Sequence, residues 1–130
     1  MYQIGKLAKK ANCFVQTVRF YESECLLPKP ARSEGNFRLY DDVHLKRLLF
    51  IRRCRAMDMR LDEIRQLLSF RDLPNIDCGE VNTLVDSHTV QVRAKIKELR
   101  ELERQLTNLR SACDSARTTG ECGILNSLAV

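Results

Sequence analysis

No stretch of this 130-residue chain approaches the ~18 consecutive apolar residues that a membrane-crossing helix requires. The N-terminal segment MYQIGKLAKKAN has none of the apolar core of a secretory signal, so the expected location is the cytoplasm. No Cys-x-x-Cys pair occurs, and no repeat or low-complexity segment is present. There is no nucleophile–base–orienter set and no phosphate-binding loop, which argues against an enzyme. The six cysteines do not form a convincing disulfide framework. A chain with no secretory signal, strong helical periodicity and 44% hydrophobic residues builds a core without staples. Proline and glycine are absent between Glu80 and Cys113, so nothing interrupts a helix there.

Charge is unevenly placed. Residues 1–60 hold 13 Lys+Arg against 6 Asp+Glu; residues 61–130 hold 9 against 11. A basic first half followed by a near-neutral second half fits a polyanion-binding head on a dimerising stalk, although a merely soluble basic surface gives the same count.

The pattern predicts a mainly α chain. QIGKLAKKA, residues 3–11, puts Ile4, Leu7, Ala8 and Ala11 on one face. Asn12-Cys13 can turn. FVQTVRFYESE, residues 14–24, forms a second helix with Val15 and Val18 inward and Gln16, Thr17, Arg19 and Tyr21 outward. Two short helices on a tight turn match a helix-turn-helix, whose second helix enters the DNA major groove. Pro28 ends this unit. ARSEGNFRLY then reads as a small hairpin, or wing, turning at Glu34-Gly35-Asn36, with Arg32 and Arg38 suited to phosphate. A third helix, about 42–57, is capped by Asp41-Asp42 and carries an apolar stripe of Val43, Leu45, Leu48, Leu49, Ile51 and Cys54. Arg47, Arg52, Arg53 and Arg55 line its polar side. A fourth helix, about 61–70, follows.

The expected organisation is a winged helix-turn-helix domain over residues 1–70 and a hinge at 71–77. A dimerisation helix at 78–112 and a loop with a short terminal helix at 113–130 complete it. Asp77 and Glu80 have the spacing of a capping box. Positions 78, 85, 92, 99, 106 and 113 read Cys, Val, Val, Leu, Leu, Cys. The companion stripe 81, 88, 95, 102 and 109 reads Val, His, Lys, Leu, Leu. This is the seam of an antiparallel coiled coil with polar faults at His88 and Lys95. Over the 35 residues from Cys78 to Cys113 a straight helix spans roughly 52 Å. An antiparallel second copy would bring Cys78 of one chain beside Cys113 and Cys122 of the other.

Three thiolates favour soft ions such as Zn(II), Cd(II), Hg(II) and Pb(II). A Cys78 in the first helical turn would have its thiolate favoured by the helix dipole. Eight residues separate Cys113 from Cys122, enough for a loop to close around an ion. With no evident fourth strong ligand, three sulfurs suit Hg(II) or the lone pair of Pb(II). Zn(II) or Cd(II) would recruit water, Asp114 or Glu121. Cys78 and Cys113 also fit as small residues packed in the seam. Cys13, Cys25 and Cys54 read as structural, His88 as a polar residue inside the seam, and His44 as surface or backbone-facing.

The order of these segments resembles the MerR family of bacterial transcription regulators over essentially the whole chain. IGKLAKKA, TVRFYE, LLPKPARSEGNFRLY and FIRRCRAMDMRLDEI carry the likeness. DCGEVN and CDSARTTGECGIL look most like the lead-responsive PbrR and cadmium-responsive CadR branch. The copper branch lacks a cysteine matching Cys78, which points here to a divalent ion, Pb(II) preferred. The histidine-rich tail of some cadmium regulators is absent. Arg60 stands where many relatives have proline. The resemblance implies a homodimer on double-stranded promoter DNA, acting with RNA polymerase. Metal binding then distorts an overlong promoter spacer and activates resistance genes. Matching DNA contacts are Gln16, Thr17, Arg19 and Tyr21 in the second helix, Arg32, Asn36, Arg38 and Tyr40 in the wing, and Arg55. The resemblance makes Cys78, Cys113 and Cys122 the metal ligands. A metal-buffering protein remains the other reading, but a buffer has no use for a basic helix-turn-helix.

Overall fold

A computed structural model describes residues 1–115 and 118–129. The chain divides into two compact units, Met1–Val81 and Asn82–Val130. The order is α1 (Ile4–Lys10), α2 (Val15–Ser23), β1 (Ala31–Arg32), β2 (Arg38–Leu39), α3 (Asp42–Ala56), α4 (Leu61–Arg71) and α5 (Gly79–Arg110). A short 3-10 turn (Thr119–Glu121) and α6 (Gly123–Leu128) close it.

Three helices of the first unit stop in the same way. After α1, α2 and α3 the chain passes through Asn12, Cys25 and Asp58, each left-handed with φ between 55° and 62°. At α2 the Cys25 N–H donates to the Glu22 carbonyl at 3.0 Å and the Leu26 N–H to Tyr21 at 2.9 Å. The pattern repeats from Asn12 and Cys13 to Lys9 and Ala8, and from Asp58 and Met59 to Arg55 and Cys54. This is the Schellman ending, usually made by glycine. It turns the chain sharply and drops Leu26 and Met59 into the core.

That core gathers Leu7, Ala8 and Ala11 of α1, Val18 and Tyr21 of α2, Leu48 and Ile51 of α3, and Ile64 and Leu68 of α4, with Tyr40 at its centre. On α3 the buried stripe is His44, Leu48, Ile51 and Cys54. Val43 and Leu49, read as part of it, are exposed, and His44 is buried rather than at the surface. The His44 ring is held on three sides. Nδ1 lies 2.8 Å from Asp41 Oδ1, Nε2 lies 3.1 Å from the Pro28 carbonyl, and the ring stands edge-on to Tyr40. The expected backbone contact is therefore present, from an interior position. Asp41 caps α3 by accepting the His44 N–H at 3.2 Å.

Several arginines read as a polar face are structural. Arg47 donates to the Leu26 carbonyl at 2.8 Å and pairs with Asp72. Arg52 donates to the Asn12 carbonyl, and Arg65 to that of Glu24 at 2.8 Å. Cations therefore sit where α1 and α2 end, the ends at which helix dipoles favour positive charge. Arg53 and Arg55 stay exposed. Helix α4 begins at Leu61, with Glu63 accepting the Arg60 N–H at 3.0 Å, so the boundary falls where the pattern placed it despite the missing proline.

Helix α5 runs 32 residues without a break, roughly 48 Å. Cys78 precedes its first residue rather than lying in its first turn. Asp77 accepts the Gly79 N–H at 2.8 Å. Leu84 and His88 are buried, while Leu99, Leu102 and Leu106 are exposed. Ala116 and Arg117, within the predicted loop DSARTTGE, lie outside the described residues.

Candidate nucleic-acid interface and metal centre

The wing is a two-stranded antiparallel ribbon pairing Ala31 with Leu39 and Arg32 with Arg38. The turn closes through Asn36 N–H to Ser33 O and Ser33 N–H to Phe37 O, both 2.9 Å. Asn36 takes the left-handed conformation at φ 64°, and no glycine has positive φ. Gly35 is there for a different reason than φ: a Cβ on it would approach the Phe37 ring to 3.1 Å.

Arg19 of α2 meets Arg32 and Arg38 of the wing and Lys29 of the preceding loop around an open groove of about 430 Å³. Four cations from three segments converge there. Gln16, Arg19, Arg32 and Asn36 are exposed, and Thr17 and Arg38 are half-buried. Arg32 donates to the Asn36 carbonyl at 3.2 Å, which stiffens the wing turn. Arg55 donates to the Met59 carbonyl at 3.0 Å and remains exposed.

Tyr21, expected outward, is only 7% exposed, and Tyr40, matched to the wing contacts, is fully buried. Both fill the core, and Tyr40 does more. Its hydroxyl donates to Glu22 Oε1 at 2.9 Å, and Glu22 Oε2 lies 3.9 Å from Arg38 Nε. Burial, then the Glu22 hydrogen bond, pushes the Tyr40 phenol up from its ordinary range. Glu22 thus joins α2 to the wing. It closes the TVRFYE segment, but its spacing carries no signal of this role, because its partners lie 16 and 18 residues away.

The second cluster is at the end of α5. Arg110 donates to the Cys113 carbonyl at 2.6 Å and closes the last turn. Cys122 lies directly before α6, and its backbone carbonyl accepts the Asn126 N–H at 3.0 Å. The Leu125 backbone N–H, then a hydrogen bond with the Cys113 thiol, hold the Cys122 thiol below the ordinary cysteine range; the Arg110 charge adds to this. The two thiols therefore lie near one another at this end of the helix. Gly123 makes the approach possible. A Cβ there would lie 2.1 Å from the Ala112 carbonyl oxygen. Sequence reading missed Gly123, although its place directly after Cys122 was a clue.

The remaining cysteines divide. Cys54 is buried, and burial raises its thiol. Cys13 is half-buried against the core. Cys25 is exposed in its left-handed turn, so its structural role is a backbone one. Cys78 is exposed. Among the described residues of one chain, no group of three His, Cys, Asp or Glu side chains comes together to hold an ion. Among these residues no helix is long and apolar enough to cross a membrane.

Fold and sites together define a winged helix-turn-helix regulatory protein with a thiol pair behind its long helix. Two family models match: "MerR HTH family regulatory protein" over residues 2–70 and "MerR, DNA binding" over residues 45–109. The chain belongs to the MerR family of helix-turn-helix regulators, which are DNA-binding proteins and not enzymes. It is 75% identical to the transcription regulator PbrR691 from Ralstonia metallidurans CH34, solved in complex with lead(II). That likeness covers 98% of this chain and 99% of the other, with a TM-score of 0.85. It is 40% identical to the transcriptional regulator ZntR of Escherichia coli K12 over 98% of this chain and 92% of that protein. HiNmlR, a family member lacking the sensor domain and solved on promoter DNA, is 27% identical with a TM-score of 0.58. There the match covers 85% of this chain and 84% of the other.

Proposed function

We propose that this chain is a heavy-metal-responsive transcription regulator that binds double-stranded promoter DNA as a homodimer and activates resistance genes, with Pb(II) its preferred ion. The observation that carries the reading is the placing of the Cys113 and Cys122 thiols near one another behind a long helix, on a chain whose first unit is a basic winged helix-turn-helix. A thiol pair alone would suit a metal buffer. A buffer has no use for four converging cations over a recognition helix.

Gln16, Thr17 and Arg19 enter the major groove, and Arg32, Asn36, Arg38 and Arg55 hold the phosphates on either side. Tyr21 and Tyr40 position these groups from inside. The dimer forms along α5, where Leu99, Leu102 and Leu106 are more than half exposed in a single chain. A second antiparallel copy buries that seam. It also brings Cys78 of one protomer to Cys113 and Cys122 of its partner, so each dimer has two three-sulfur sites. Three sulfurs on one side leave room for the lone pair of Pb(II), and the 75% identity to a regulator solved with lead(II) supports that choice. Cd(II), Zn(II) and Hg(II) are the alternatives. The bound ion ties the two second units together. The change passes to the DNA-binding units and twists the promoter so that RNA polymerase engages it.

The test mixes Cys78→Ser chains with Cys113→Ser chains. One site of the mixed dimer keeps all three thiols and the other loses two. One lead ion per heterodimer, with thiolate-to-lead absorption in the near ultraviolet, is the expected result. A mixed dimer that binds no metal, or a Cys78→Ser homodimer that responds normally, overturns the shared site. In a promoter transcription assay against Pb(II), Cd(II), Zn(II) and Hg(II), tighter zinc than lead binding overturns the preference for lead.

A further inference from the structure

Phe14 stands where a helix-capping residue belongs. It is the residue before α2, with extended backbone (φ −84°, ψ 153°), and its side chain makes no capping bond. Ser, Thr, Asp and Asn are strongly preferred there because their oxygens satisfy the first free N–H groups of the helix. Phenylalanine gives up that bond. It gains no burial in return: its ring is 82% exposed, more than any other large apolar side chain described. A single exposed apolar residue is ordinary. One that occupies a capping position at the working end of a recognition helix is not.

The surroundings indicate what the ring meets. In a helix-turn-helix the N-terminal residues of the second helix reach base edges. Gln16 follows two residues on, and Arg19 opens onto the groove shared with Lys29, Arg32 and Arg38. That groove lies along the later turns of α2, past Arg19, Glu22 and Ser23, so a duplex docked on it reaches Phe14 by following the recognition helix back to its N-terminus. A phenyl ring has no donor, acceptor or charge to offer a base edge. The apolar group the major groove presents is the C5-methyl of thymine. We propose that Phe14 reads a thymine methyl in each half-site of the operator, as a specificity-determining residue. The inference rests on the DNA-binding reading above.

The test uses the full chain and a duplex it selects from a random-sequence pool. Each thymine of the selected half-site is replaced in turn by deoxyuridine, which removes the methyl and keeps the pairing. At one position per half-site, wild-type affinity should fall about fourfold, and about fifteenfold when both halves are changed, the size expected for burying one apolar carbon. Phe14→Asn restores a capping oxygen without adding a methyl, and so should not endanger folding. It should bind thymine and uracil duplexes equally at that position, with an unchanged salt dependence. Phe14→Leu should keep part of the preference. If no thymine is methyl-sensitive for the wild type, or if Phe14→Asn retains the same sensitivity, the inference is wrong and the ring serves something other than DNA. A chain that selects no duplex at all removes the DNA-binding reading together with it.

Discussion

Replacing Gly123 by alanine sets two local effects against each other. Gly123 is the first residue of α6 and has no positive φ, so alanine is conformationally allowed there. By helix propensity alone Gly123→Ala would stabilise α6 by about 1 kcal/mol. Packing gives the opposite sign. The new methyl would lie 2.1 Å from the Ala112 carbonyl oxygen and 3.1 Å from its carbon. The obstacle is backbone, which cannot rotate aside, and the contact is short by roughly 1 Å or more. Overpacking of this kind costs about 1–3 kcal/mol, so the segment should move instead. Cys122 is the adjacent residue. Metal–sulfur distances tolerate about 0.2 Å, so a shift of this size takes one sulfur away from the ion. Lead affinity should fall at least about 10–100-fold, the range seen when ligand-positioning groups are lost. The measurement is competition for Pb(II) against a chromophoric chelator, beside operator binding, which should not change. Gly120→Ala is the control, since its added carbon finds nothing nearer than Thr118 Oγ1 at 4.0 Å. Wild-type lead affinity in Gly123→Ala, or an equal loss in Gly120→Ala, would refute the reasoning.

Cys25→Gly should stabilise the first unit by about 1 kcal/mol in urea unfolding, because Cys25 holds φ 59° at a Schellman ending; a lower midpoint would contradict this. Tyr40→Phe should cost about 1–2 kcal/mol, because it leaves Glu22 without a buried hydroxyl donor. In the wild type the raised Tyr40 phenol keeps its proton when folded, so its contribution holds below pH 10.0 and is lost as pH rises above it. Tyr40→Phe should flatten that alkaline loss. Cys122 is shifted the other way, so in metal-free protein it should be alkylated at lower pH than in the urea-unfolded chain. Any stability its thiolate lends the tail is complete above the unfolded value of 9.0 and lost as pH falls through the folded one. Identical folded and unfolded alkylation profiles would rule this out. Arg19→Ala should weaken operator binding and relax its sequence preference with lead affinity unchanged, while wild-type binding falls steeply with salt; salt-independent binding would count against the DNA-binding reading.

Much of the fold is local, and so it was legible in the chain. Helix α5 follows from a seven-residue apolar repeat with no proline or glycine after Gly79, its first residue, and α1, α2 and α4 follow from single apolar faces. The ribbon follows from two short runs around a polar turn. These patterns depend on neighbours within a few residues, which the order of residues states directly. The chain's cysteines could be counted and spaced, and their chemistry named. What tertiary structure decided involves groups distant in sequence or backbone angles that side chains do not announce. Tyr21 and His44 look like surface residues on a helix wheel and Tyr40 like a wing residue, yet the packing of α2, the wing and α3 encloses all three. Arg47 and Arg52 look like part of the polar side of α3, yet together with Arg65 of α4 they bind the carbonyl ends of α1 and α2, 21 to 41 residues away. Among the described residues, left-handed backbone falls on Asn12, Cys25, Asn36, Asp58 and Ser115, whereas no glycine takes it, so the usual marker of such turns was missing. The approach of Cys122 to Cys113 required both cysteines, which the sequence displays, and a residue without a side chain at Gly123, because the Ala112 carbonyl leaves no room for one; that need becomes visible only when α6 folds back onto the end of α5.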